Sequence, residues 1–86
     1  MAFCSVEWKR SAEKDLRRLD RKQVPRIIAA VERLARNPIP VTCRKLHGAE
    51  RIYRVRVGNY RVIYEYDETA GTVCVFHVRH RQEAYR

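Results

Sequence analysis

Eighty-six residues are enough for one small domain, residues 1–86, built around a single core, and too few for a second. With 45% hydrophobic and 34% charged residues the chain reads as globular rather than disordered. Its 19 Lys and Arg against 10 Asp and Glu give a net charge of +9, which predicts a polyanionic partner: nucleic acid, an acidic membrane surface or an acidic protein. Met1-Ala2-Phe3-Cys4 runs straight into charged residues, and no apolar run approaches spanning length, so a cytoplasmic protein without a membrane partner is expected. Cys4, Cys43 and Cys74 are odd in number and share no metal-ligand spacing, and His47, His77 and His80 form only a loose group. Free thiols, no structural zinc and no cofactor are expected.

In chain order, "AFCSVEW" alternates weakly and predicts a short strand. Ser11 is placed to cap a helix whose apolar positions Ala12, Leu16 and Leu19 fall at helical spacing. A second helix carries Val24, Ile27, Ile28, Val31, Leu34 and Ala35 on one stripe, with Pro25 in its first turn, where a missing N–H costs little. Asn37-Pro38 ends it, because a residue before proline avoids the helical region. "NPIPVTCRKLHGAE" then reads as irregular chain. From residue 52 the period becomes two: "IYRVRV", "YRVIYEY" and "TVCVFHVRHR" predict three antiparallel strands, joined at Gly58-Asn59 and at Asp67 to Gly71. The predicted class is α+β, in the order β-α-α-β-β-β: a mostly antiparallel four-stranded sheet with a two-helix hairpin on one face.

Alternation then assigns faces, provided that no β-bulge intervenes. Tyr53, Val55, Val57, Tyr60, Val62, Tyr64, Tyr66, Cys74, Phe76 and Val78 turn toward the helices. Arg54, Arg56, Arg61, His77, Arg79 and Arg81 collect on the open face beside Ile52, Ile63, Val73 and Val75, with Glu65 as the one carboxylate within these strands. Clustered arginines repel one another unless an anion relieves them, so this face predicts phosphate binding. The competing reading is an ordinary solvated face. Lys9, Arg10, Lys14, Arg17, Arg18, Arg21, Lys22 and Arg26 crowd the helical hairpin, either as a solvated surface or as a contact for an RNA backbone.

"KLHG" at 45–48, "YRVRVGNYRVIYEY" at 53–66 and "VFHVRHRQEAYR" at 75–86 together resemble the RelE group of the RelE/ParE superfamily, the toxins of type II toxin–antitoxin pairs. The resemblance implies a RelE-like fold and a basic, metal-independent endoribonuclease (an mRNA interferase) that cuts mRNA in the ribosomal A site. It implies three partners: the ribosome, mRNA, and a cognate acidic RelB-like antitoxin that silences the toxin in a hetero-oligomeric complex. By position it places catalytic roles on Arg56, Arg61, Arg81 and Tyr85. Arg54, Arg56, Arg79 and Lys45 form the RNA-binding set. The first basic pair, lysine in well-studied relatives, is Arg54 and Arg56 here; arginine holds phosphate but does not serve as a base.

Metal-free RNA cleavage requires a base for the 2′-OH, cations for the pentacoordinate transition state, and a proton for the 5′-O leaving group. Arginine fits the second role. Tyr85 and His80 are both candidates for the base, although alternation turns His80 to the opposite face. Tyr85 could instead stack on a nucleobase. His77 faces correctly but sits deeper, where a structural role is expected. Two rival functions stay open: a ParE-like inhibitor of DNA gyrase without nuclease activity, and a noncatalytic RNA-binding module.

Overall fold

The computed structural model describes residues 3–46 and 51–80. Strand β1 (Ser5–Trp8) leads into helix α1 (Arg10–Arg18) and then α2 (Val24–Arg36). A two-residue strand β2 (Arg44–Lys45) precedes the meander β3 (Ile52–Val57), β4 (Tyr60–Asp67) and β5 (Thr72–His80). The sheet has five strands in the order β1-β5-β4-β3-β2, one more than the sequence predicted. The extra strand is β2, which pairs Arg44 with Arg54 and Lys45 with Tyr53 inside the stretch read as irregular. Two residues are too few to show a period. β1 joins the edge of β5 in parallel, which the α1–α2 crossover makes possible; the other pairings are antiparallel.

The helices behave as their periodicity predicts at most positions. Ile27, Val31 and Leu34 of α2 and Ala12 of α1 pack on Val55, Val62, Tyr64, Val73, Val75 and Val78. Pro25 lies in the first turn of α2, and Asn37 is its C-cap. Ile28, by contrast, is exposed at the edge of the stripe. Tyr64 is fully buried and donates its hydroxyl to the Pro38 carbonyl at 2.6 Å, which anchors the exit of α2 to the middle of the sheet. Burial pushes the Tyr64 phenol well above its ordinary range, and the neighbouring Cys43 and Tyr53 add to the rise.

One predicted cap is different. Helix α1 begins at Arg10 with Lys9 as N-cap, and the Ser11 hydroxyl donates to the Phe76 carbonyl at 2.6 Å instead of closing its own helix. The reason lies at the edge of β5. β1 pairs with β5 only as far as Trp8 opposite Val75, and the Lys9 N–H makes one more bond to the Val75 carbonyl. Beyond that point the edge of β5 would expose its backbone. Ser11 takes the Phe76 carbonyl, and the Asp15 carboxylate accepts the Val78 N–H at 3.0 Å. Two side chains of α1 thus continue the ladder that β1 leaves unfinished.

Candidate nucleic-acid interface

The open face is built from rows that cross the strands. Arg56 of β3 stands opposite Arg61 of β4, which stands opposite Arg79 of β5. Neighbouring strands lie about 5 Å apart, so three guanidinium groups originate within roughly 10 Å of one another. The next row holds Arg44, Arg54, Ile63 and His77, and a third holds Ile52, Glu65 and Cys74, with Glu7 of β1 beside Cys74. Rows on one face repeat every two residues, about 7 Å. The face is therefore polarised, with arginine at one end and Glu7 and Glu65 at the other. Burial holds the Cys74 thiol above its usual range, opposed by Lys9 and reinforced by Glu7 and Glu65, so this cysteine is a protonated thiol and a poor nucleophile.

The ladder of β4 and β5 slips once. Tyr64 pairs with Val75 but Ile63 pairs with His77, leaving Phe76 as the extra residue of a β-bulge. The bulge corrects the predicted faces of β5. Val73 and Val75, assigned to the open face, are fully buried under the helices, and Cys74 takes the open side. After the bulge the predicted alternation returns: Val78 is buried opposite Val62, while His77 and Arg79 share the open face with Ile63 and Arg61.

Each described site residue can now be placed. Arg61 is the one buried charged residue among the described residues, 9% exposed. Arg56 is exposed at the end of β3, and its Nε donates to the Gly58 carbonyl at 3.2 Å. Arg56 also lines a groove of about 580 Å³ between α2 and β3, together with Arg26, Arg33 and Arg36. Gly58 turns the chain there at φ +59, a conformation that side chains strain to adopt, and an added Cβ would meet the Arg26 guanidinium at 3.4 Å. Arg54 sits one row further along the open face. Lys45 is exposed and pairs with Tyr53, whose strand neighbour Val55 is in the core, while Arg44 beside it pairs with Arg54 in the open-face row.

His80 is likewise separated from the arginine row. It pairs with Tyr60, on the face of Val62 and Val78, and meets that ring edge-on at 5.5 Å. It lines a smaller pocket of about 180 Å³ with Asp20, Gln23, Arg26, Gly58 and Asn59. Arg81 and Tyr85 lie outside the described residues, as does His47. The eight basic residues of the helical hairpin are all exposed.

Asp15 is the residue that sequence reasoning missed. Its Oδ2 lies 3.2 Å from His77 Nδ1 and 3.8 Å from Arg79 Nε, besides accepting the Val78 N–H. Arg79 Nη2 is also 3.1 Å from His77 Nδ1. A carboxylate in a heavily charged helix, more than sixty positions from its partners, carries no local signal of that contact.

This geometry agrees with what the chain is similar to. Residues 6–85 match the family model described as ParE toxin of type II toxin–antitoxin systems. Toxin RelG of Mycobacterium tuberculosis is 34% identical over 90 residues, covering 95% of each chain. In the crystal structure of the archaeal RelE–RelB complex from Pyrococcus horikoshii, a chain 25% identical superposes with a TM-score of 0.80, covering 92% of this protein and 96% of that chain. In the RelBE2 toxin–antitoxin complex of M. tuberculosis a chain 30% identical superposes with a TM-score of 0.72, over 94% of this protein and 100% of that chain. Fold, arginine-rich face and similarity thus point the same way: the chain belongs to the ParE toxin family of type II toxin–antitoxin systems, and it is a RelE-type toxin.

Proposed function

We propose that this toxin is a ribosome-dependent endoribonuclease that cleaves mRNA in the A site and so halts translation. The observation that carries the reading is the row Arg56–Arg61–Arg79. Like charges directly opposite on adjacent strands destabilise a sheet, by about 1 kcal/mol per pair at roughly 5 Å even in water. A fold that keeps three of them in line, one of them buried, has a use for the field they create. A phosphodiester passing through a pentacoordinate transition state gains negative charge on its nonbridging oxygens, and guanidinium groups match that charge with paired N–H donors.

In this mechanism the 2′-OH attacks its own phosphorus, the bond to O5′ breaks, and the products are a 2′,3′-cyclic phosphate and a 5′-OH end. Arg61 and Arg56 hold the scissile phosphate, and Arg79 and Arg54 hold its neighbours. Arg81 is assigned a second contact to the transition state, and Tyr85 stacks on the nucleobase. None of these steps calls for a metal ion, since arginine supplies the positive charge. The antitoxin is an acidic RelB-like protein that neutralises the same face; the related RelE of P. horikoshii was solved with RelB.

The family description also names ParE, which favours a second reading as a gyrase inhibitor that acts through protein contact. The arginine row is what such an inhibitor does not require. The test is to incubate purified toxin with translating ribosomes and analyse the mRNA ends chemically. Cyclic phosphate ends at A-site positions support the nuclease; intact mRNA together with inhibited gyrase supports the alternative.

A further inference from the structure

From the contact between α1 and the bulged strand we infer that His77, oriented by Asp15, is the general base of this site. The inference rests on the nuclease reading and names a residue that neither the resemblance nor the alternation pattern had selected as base.

The geometry begins at the bulge. With Phe76 as the extra residue, the β5 edge turns so that the Val78 N–H and the His77 ring meet one carboxylate oxygen, Asp15 Oδ2, at 3.0 and 3.2 Å. Asp15 is largely buried, its side chain 12% exposed, and the backbone bond to Val78 fixes it. His77 Nδ1 also lies 3.1 Å from Arg79 Nη2. One nitrogen cannot serve both neighbours. A guanidinium only donates, so it needs a bare Nδ1; a carboxylate only accepts, so it needs Nδ1–H. Of the two partners Asp15 is held and Arg79 is not. The Arg79 side chain is 40% exposed and can also approach Asp15 directly through Nε at 3.8 Å. The carboxylate therefore sets the tautomer, with the proton on Nδ1 and the lone pair on Nε2.

That is the arrangement a base requires: one ring nitrogen anchored to a carboxylate, the other left with its lone pair, as in the histidine–aspartate pairs of hydrolases. The His77 side chain is 36% exposed, on the open face and one row from Arg61. The charged groups around it are Asp15 from α1, Arg79 on its own strand, Arg61 diagonally on β4, and Arg54 in its own row beyond Ile63. Arg79 couples the two functions. When its guanidinium turns to a phosphate it leaves Nδ1 to Asp15 alone.

In the step itself, Nε2 takes the proton of the 2′-OH, O2′ bonds to phosphorus, and the P–O5′ bond breaks. Water gives O5′ its proton, and the hydroxide left behind neutralises the imidazolium. No redox partner is needed.

The test measures single-turnover cleavage by wild type, Arg61→Ala, His77→Gln and Asp15→Asn on programmed ribosomes across the pH range in which imidazole titrates, with an NMR assignment of the His77 tautomer in the free protein. Removing a general base costs about a hundredfold to ten-thousandfold. His77→Gln is expected to lose that much and to lose the rise of rate with pH. Asp15→Asn keeps an oxygen for the Val78 N–H but puts a neutral amide in place of the carboxylate that orients the ring, so the share of the Nδ1–H tautomer and the maximum rate should both fall. The wild-type spectrum should show Nδ1–H. Wild-type rates in His77→Gln, slow cleavage with the wild-type pH rise intact, or an Nε2–H tautomer would each overturn the inference while leaving the nuclease reading standing, provided that Arg61→Ala is inactive. A wild-type protein that leaves mRNA uncut would remove the nuclease reading and this inference together.

Discussion

Arg61 of β4 stands directly across from Arg79 of β5, and Arg61, at 9% exposure, is the more buried of the two. Burying a cation beside two others is an electrostatic cost that the rest of the fold has to offset. Replacing a whole buried ion pair by apolar groups is often neutral or stabilising, whereas removing one charge from a buried contact is destabilising. Arg61→Met is therefore expected to lower the melting temperature in thermal denaturation followed by circular dichroism while keeping a cooperative transition. A melting temperature at or above the wild-type value would mean that the fold carries this charge at a net cost.

The arginine row also sets a salt dependence. Neutralising three phosphates of single-stranded RNA predicts a slope of about −2 in a plot of log affinity against log salt, since each contact contributes about −0.7. Arg79→Ala should weaken binding at low salt and reduce the slope by about 0.7, as read by fluorescence anisotropy. Equal slopes in the two proteins would take Arg79 out of phosphate contact.

Asp15 has a structural duty that can be measured apart from chemistry. Asp15→Ala leaves the Val78 N–H at the β5 edge without its acceptor, a loss of about 1–3 kcal/mol. In a domain of this size each kcal/mol moves the melting temperature by roughly 4–8 °C. Asp15→Asn should recover most of that loss, because its amide oxygen still accepts.

Tyr64 predicts an alkaline limit. Burial raises its phenol in the folded state, so above about pH 10 the unfolded chain gives up this proton while the folded chain keeps it. The folded state then binds more protons, and stability falls as pH rises. Tyr64→Phe, which also loses the bond to the Pro38 carbonyl, should start about 1 kcal/mol less stable at neutral pH and show a shallower alkaline decline. Parallel declines in urea denaturation at pH 8 to 11 would contradict the assignment.

Much of this was legible because periodicity is a strong signal wherever a run is long. The stripe Ile27, Val31 and Leu34 and the alternation of β3 and β4 gave the core and the Arg54, Arg56 and Arg61 positions directly. The error on β5 came from reading one period across a bulge. Val73, Val75 and Val78 are all buried, and their spacing of two then three is how a bulge appears in a sequence. Ser11 looked like a helix cap because serine is a good one, but a nearby strand edge with an unpaired carbonyl competed for its hydroxyl and won. β2 is two residues long, too short to show a period, and Asp15 depends on contacts more than sixty positions away, which nothing in its immediate neighbours encodes.

The central claim is that the row Arg56–Arg61–Arg79 exists to cleave RNA, and toeprinting on translating ribosomes tests it most directly. Wild-type toxin should produce cuts at A-site codons. Arg61→Ala, folded by circular dichroism, should cut about a hundredfold to a thousandfold more slowly, the usual cost of losing a group that stabilises transition-state charge. Cutting by Arg61→Ala at the wild-type rate and positions would contradict the account.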